Sequence, residues 1–174
     1  MKILKLLSAT ILTLFILSSC ATVNVKTDYD SKTDFTKFKT FAFYKKGIDK
    51  AKVSDLDKKR ILRAIETELK TKGMTLSKTP DVLVSIFTKS TKKVDVYSSN
   101  YWYPSYYSPY YRSHISKYTQ GTLFIDIIDA KGKILLWQGV GKGNLNTSGN
   151  VEKKEARINQ FVAEMMEKYP PVKK

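Results

Sequence analysis

Apolar positions along this chain change period several times, and each change predicts an element. Ile61, Leu62, Ile65 and Leu69 recur at helical spacing, with Lys59, Arg63, Glu66 and Lys70 on the opposite side. Ser54 stands ahead of them with Asp57 three residues on, a capping pattern, and Gly73 follows as a natural stop. A helix over about 55–72 is expected. Ile158, Phe161, Val162, Met165 and Met166 repeat the same period. They predict a second helix over about 151–168, stopped by Pro170 and Pro171.

Between the helices the period falls to two. Val82, Val84, Ile86 and Thr88 alternate against Leu83 and Phe87, and Val94 and Val96 resume the alternation. Leu123, Ile125 and Ile127 oppose Phe124, Asp126 and Ile128. Asp129 to Gly132 reads as a hairpin turn into the strand Ile134 to Trp137, which ends near Gly139 to Gly143. Ahead of the first helix, Thr40 to Tyr44 has strand-forming composition, and Lys45 to Val53 reads as a basic loop. The order β-α-β-β-β-α predicts an α+β fold. Its form is a two-layer sandwich, an antiparallel sheet of about four strands with two helices on one face. Residues 35–171 are expected as one domain and 20–34 as a polar tether leading into an edge strand.

Residues 97–118 break every period. They hold eight of the 11 tyrosines, with Trp102, Pro104 and Pro109 among them. Proline interrupts both helix and ladder, so the segment is expected as the tip of a hairpin. Tyr101, Trp102, Tyr103, Tyr106, Tyr107, Tyr110 and Tyr111 offer rigid apolar faces with polar tips, suited to a sugar ring or a protein surface. Arg112 beside them favours an anionic partner. The competing reading is an insert that covers an open face of the sheet.

The first residues change the picture most. Lys2 and Lys5 precede an apolar run from Leu6 to Leu17, interrupted only by Ser8, Thr10 and Thr13. A stable span needs about 20 apolar residues, so the run reads as an export signal. It ends in Leu17-Ser18-Ser19-Cys20. That ending resembles the bacterial lipoprotein signal: an apolar branched residue, two small ones, and a cysteine able to carry a diacylglyceryl group as a thioether. Residues 1–19 are then expected to be removed and Cys20 to be the lipid attachment point. Two or three acyl chains hold a protein stably where one does not, because each buried methylene contributes about 0.8 kcal/mol. Neither an aspartate nor an acidic cluster follows Cys20, which favours the outer membrane with the domain facing the periplasm.

Charge and residue counts narrow the chemistry. The chain has 174 residues, 31 Lys and Arg against 16 Asp and Glu, one His and one Cys. So few histidines and cysteines leave no set for a metal centre, a disulfide framework or histidine-centred catalysis, and no cofactor is expected. Only Arg60, Arg63, Arg112 and Arg157 are arginines, unlike a nucleic-acid reader. The excess positive charge fits an anionic glycan, an anionic lipid or another envelope protein, and equally fits solubility alone. His114 is the single histidine, and Asp126 and Asp129 near the hairpin are the carboxylates a hydrolase would use. Gly139, Gly141 and Gly143 alternate on a strand rather than opening a helix, so they form no phosphate loop.

The chain resembles a lipoprotein family known as the domain of unknown function numbered 4136. The likeness runs through Asp28-Tyr29-Asp30, Asp34-Phe35, Phe38 to Phe43, Leu69 to Gly73 and Asp81 to Val84. It continues in Gly121 to Leu123, Ile125-Asp126, Leu136 to Gly139 and Tyr169-Pro170-Pro171. Phe43 stands where the family often has Trp, and Pro80 where Ala is common. The resemblance implies an envelope lipoprotein and carries over Cys20 alone as a functional residue. The expectation is a non-enzymatic, lipid-anchored binding or assembly module. The alternatives are a purely structural lipoprotein and, behind it, a hydrolase.

Overall fold

The computed structural model describes residues 23–97, 114–144 and 150–172. It is an α+β fold built on one six-stranded mixed sheet. The strands are β1 (Asn24–Tyr29), β2 (Thr40–Phe43), β3 (Thr75–Leu76), β4 (Val82–Tyr97), β5 (His114–Asp129) and β6 (Leu135–Asn144). The helices are α1 (Lys45–Ile48), α2 (Asp55–Thr71) and α3 (Val151–Met166), with a 3-10 turn at Phe35–Lys37. The sheet order is β1-β6-β5-β4-β2-β3.

The long elements fall where periodicity put them. The Ser54 side chain accepts from the Asp57 N–H at 3.2 Å, and Asp55 and Asp57 sit in the first turn of α2, where the helix dipole favours negative charge. Gly73, at φ 79°, ends the helix, and Met74 N–H bonds the Leu69 carbonyl. Asn150 caps α3, accepting from the Glu152 N–H at 2.6 Å. β4, β5 and β6 form the expected antiparallel meander.

Three expectations are corrected. First, the sheet has six strands rather than about four, and it is mixed rather than antiparallel. β2 runs parallel to β4, pairing Phe41 with Val82 and Phe43 with Val84. Parallel neighbours need a crossover, and α2 lies in the connection between them. β3 is only two residues long, too short to leave a periodic trace. Second, residues 24–29 are not tether. They pair with β6 from Asn24↔Lys142 to Tyr29↔Trp137. An edge strand satisfies its backbone on one side while exposing most of its side chains, so polar composition does not forbid it. Third, the basic loop after β2 contains α1, which sends Ile48 into the core. The meander strands also reach further than expected. Residues 114–118, read as loop, belong to β5.

The core lies between one sheet face and the two long helices. Phe41, Val82, Val84, Ile86, Leu123, Ile125, Ile127 and Trp137 come from the sheet. Ile61, Ile65 and Leu69 of α2 and Ile158, Phe161, Val162 and Met165 of α3 meet them. The alternating glycines of β6 make that contact possible. A Cβ at Gly141 would lie 2.5 Å from Met165 Sδ and 2.6 Å from Phe161 Cε1, so α3 rests on bare backbone there. Asp57 ties the helices together. It accepts from Lys154 Nζ at 2.8 Å and pairs with Arg60 Nη1 at 2.9 Å.

Candidate functional site

Cys20, Tyr101, Trp102, Tyr103, Tyr106, Tyr107, Tyr110, Tyr111 and Arg112 lie outside the described residues. The backbone that carries the tyrosine segment is described. β4 and β5 pair without interruption from Val82↔Asp129 to Tyr97↔His114. β6 pairs with β5 only as far as Gln120↔Asn144. Among the described residues, the outer ends of β4 and β5 therefore pair only with each other, as a two-stranded arm, and residues 98–113 connect its ends.

Asp126 and Asp129, the carboxylates that hydrolysis would need, are not brought together. Asp126 and Asp129 are three residues apart on one strand, so they leave β5 on opposite faces. Asp129 belongs to the β5–β6 turn, where it accepts from the Gly132 N–H and caps the turn. Asp126 is partly buried on the face away from α2 and α3. Burial pushes its carboxyl up, against the opposing pull of the Gln138 amide, which donates to it at 2.7 Å. Among the described residues, no group of three His, Cys, Asp or Glu side chains could hold a metal ion.

Asp81, part of one motif that carried the family resemblance, is a structural ligand of backbone. Its Oδ2 accepts from the Lys39 N–H, the Thr40 N–H and the Thr40 hydroxyl at 2.8–2.9 Å, clamping the start of β2 to the start of β4. Those bonds, led by the one from Lys39, hold its carboxyl below the ordinary value.

Around Asp126, register builds three cross-strand rows on the sheet face away from α2 and α3, and α1 covers the Ser85 end of that face, where Gly47 packs on the buried Ser85 side chain. The middle row is Lys26, Val140, Phe124 and Phe87. The ring centroids of Phe87 and Phe124 are 5.6 Å apart, and Phe87 is 45% exposed although it is a large apolar side chain in a strand. One row away lie Asn24, Lys142, Thr122 and Lys89, with both lysines exposed. On the other side lie Asp28, Gln138, Asp126 and Ser85. At the β1 end of that polar row a cleft of about 260 Å³ opens between β1 and β6, lined in part by Asp28, Asp30 and Gln138. On the helix side, Thr88 Oγ1 is buried without a partner beside an apolar cavity of about 20 Å³, room for little more than one water.

Sequence reading found the alternation of Phe124 and Asp126 and missed this face as a unit. The signal that would have found it is the pairing register, because Phe87, Asp126 and Gln138 come from three strands. In sequence each is only one more outward-facing strand residue.

A family model described as Domain of unknown function (DUF4136) matches residues 25–171. No curated protein matches the chain. A solved PDZ domain protein from Parabacteroides distasonis is 25% identical, with a TM-score of 0.56 over 92% of this chain and 40% of its own. The chain thus spans about 40% of the length of that protein. A PelC dodecamer from Paraburkholderia phytofirmans is 8% identical, with a TM-score of 0.50 over 83% of this chain and 95% of its own, a likeness of fold alone.

Proposed function

The chain belongs to the DUF4136 family, and on that footing we propose that it is a lipid-anchored protein of the bacterial envelope that acts by binding, not by catalysis. The observation that carries this reading is the export-type N-terminus ending in Leu17-Ser18-Ser19-Cys20. Removal of residues 1–19 leaves Cys20 as the first residue and the lipid attachment point. The folded body begins by Val23, which is buried and whose N–H donates to Glu164 at 2.9 Å. Only two residues then separate the anchor from the body. Three residues of chain span at most about 11 Å, so the domain is held close against the membrane. An outer-membrane position facing the periplasm is the expected address.

The tyrosine segment is the contact surface in this reading. It joins the ends of the β4–β5 arm, beyond the last pairing with β6, a placement that favours reaching a partner. The partner is an envelope protein, an anionic lipid or an anionic glycan. The separation of Asp126 from Asp129 supports binding over hydrolysis.

The test is crosslinking in intact cells, with capture of the tagged full chain. Replacing Tyr101, Trp102, Tyr106 and Tyr107 together by Ser is expected to abolish the captured partner without lowering the melting temperature. An unchanged capture profile would overturn the assignment of the contact. A lower melting temperature with capture retained would favour the structural role.

A further inference from the structure

The three rows on the face away from α2 and α3 divide it by chemistry, and the Ser85 end of the polar row lies under α1. Strands stand about 4.8 Å apart and alternate residues about 6.6 Å along, so the middle row spans roughly 14 Å from Phe87 to Lys26. Two aromatic rings and a valine make its floor, with Phe87 open to solvent. Lys26 closes the row, and Lys89 and Lys142 stand in the row beside it, all three exposed. On the opposite flank, Asp126 and Gln138 form a fixed carboxylate–amide pair, and the row runs into the cleft at Asp28.

We propose that this face binds an acidic polysaccharide. Its sugar rings stack on Phe87 and Phe124, its hydroxyls bond Asp126 and Gln138, and its carboxylates pair with Lys89, Lys142 and Lys26. Flat aromatic rings beside a carboxylate–amide pair match a ligand with apolar ring faces and hydroxyl edges. The lysines select negative charge in that ligand. A membrane fits less well, because seating the aromatic row in lipid would strip water from Asp126 and Gln138. Nucleic acid fits less well, because the rows contain no arginine and place Asp28 and Asp126 on the same face. The proposal is independent of the lipid anchor and of residues 98–113.

The test is calorimetric titration of the full-length protein in detergent. The probes are galacturonate oligomers, their carboxyl-reduced neutral counterparts, and vesicles containing phosphatidylglycerol. The galacturonate oligomer is expected to bind saturably, and the neutral oligomer about tenfold or more weaker, since tenfold is about 1.4 kcal/mol. Phe87→Ala should weaken binding by about tenfold, the scale of one aromatic stacking contact, and lower the melting temperature by only a few degrees through loss of its contact with Phe124. Lys89→Gln should weaken binding and flatten its dependence on salt. The serine variants of the tyrosine segment should bind as the native chain does, which separates this site from the contact proposed above. Three results would overturn the proposal: no saturable binding of the galacturonate oligomer, binding that neither Phe87→Ala nor Lys89→Gln changes, or equal binding of the neutral oligomer. Vesicle binding lost in both variants would identify a membrane-docking face instead. Dissociation of a dimer by Phe87→Ala would identify an interface between copies.

Discussion

A single methyl group at Gly141 should loosen the contact between β6 and α3. The added Cβ would stand 2.5 Å from Met165 Sδ, 2.6 Å from Phe161 Cε1 and 3.0 Å from Met165 Cγ. Comfortable contact between such atoms is about 3.5–4.0 Å, so roughly 1 Å must be opened. Both side chains are buried, Phe161 at 1% and Met165 at 0% exposure, so neither can swing into solvent. Nor does α3 slide freely, because Lys154 is bonded to Asp57 and Glu164 to the Val23 N–H. Overpacking of this kind costs about 1–3 kcal/mol. Replacing glycine in a strand returns about 0.5–1 kcal/mol of backbone entropy. The net expectation for Gly141→Ala is a loss of about 1–2 kcal/mol, or a fall in melting temperature of roughly 2–8 °C for a domain of this size. Urea unfolding followed by far-ultraviolet circular dichroism would measure it. Met165→Ala alone should cost about 2–5 kcal/mol by leaving a cavity. Combined with Gly141→Ala, it should cost less than the sum by about 1 kcal/mol or more, because each change relieves the other. A Gly141→Ala protein as stable as the native chain, or strictly additive costs, would refute the packing argument.

Two further substitutions test other parts of the account. Gly73→Ala meets no atom within 4 Å, yet its φ of +79° penalises any L side chain, so a loss of about 1 kcal/mol is expected by urea unfolding; no loss would contradict the cap. Asp126→Asn keeps the acceptor for Gln138 and removes a carboxyl that folding raises above its ordinary value of 3.8. A raised carboxyl costs stability as pH rises past that value, so the variant should be the more stable protein at neutral pH, and the gap should close on acidification below 3.8. Melting curves across that range check it, and a gap that widens in acid would reverse the sign assigned to Asp126.

What was legible in the sequence follows the strength of each local signal. The first long helix carries a cap, an apolar stripe and a stop, the second a stripe and a proline stop, and both lie within two residues of their expected bounds. β4 and β5 place apolar residues at every second position, and Val84, Ile86, Leu123 and Ile125 of that set are all buried. The edges were illegible for a physical reason. β1 buries little beyond Val25, and β3 is two residues long, so neither needs an apolar pattern to hold its place. The parallel partnership of β2 was hidden because pairing direction is a property of the crossover and not of the strand's own residues. The same limit applies to the candidate face. Val140, Phe124 and Phe87 are adjacent only through register. Gly139, Gly141 and Gly143 were visible as an oddity, and only the approach of α3 explains two of them.

The proposed anchor at Cys20 would determine the address of the protein and the set of partners it can meet. Intact mass spectrometry of the protein purified from its native membranes tests it directly. The account predicts a chain beginning at Cys20 whose mass includes a thioether-linked diacylglyceryl group. A free cysteine thiol at that position, or a chain that retains residues 1–19, would contradict it.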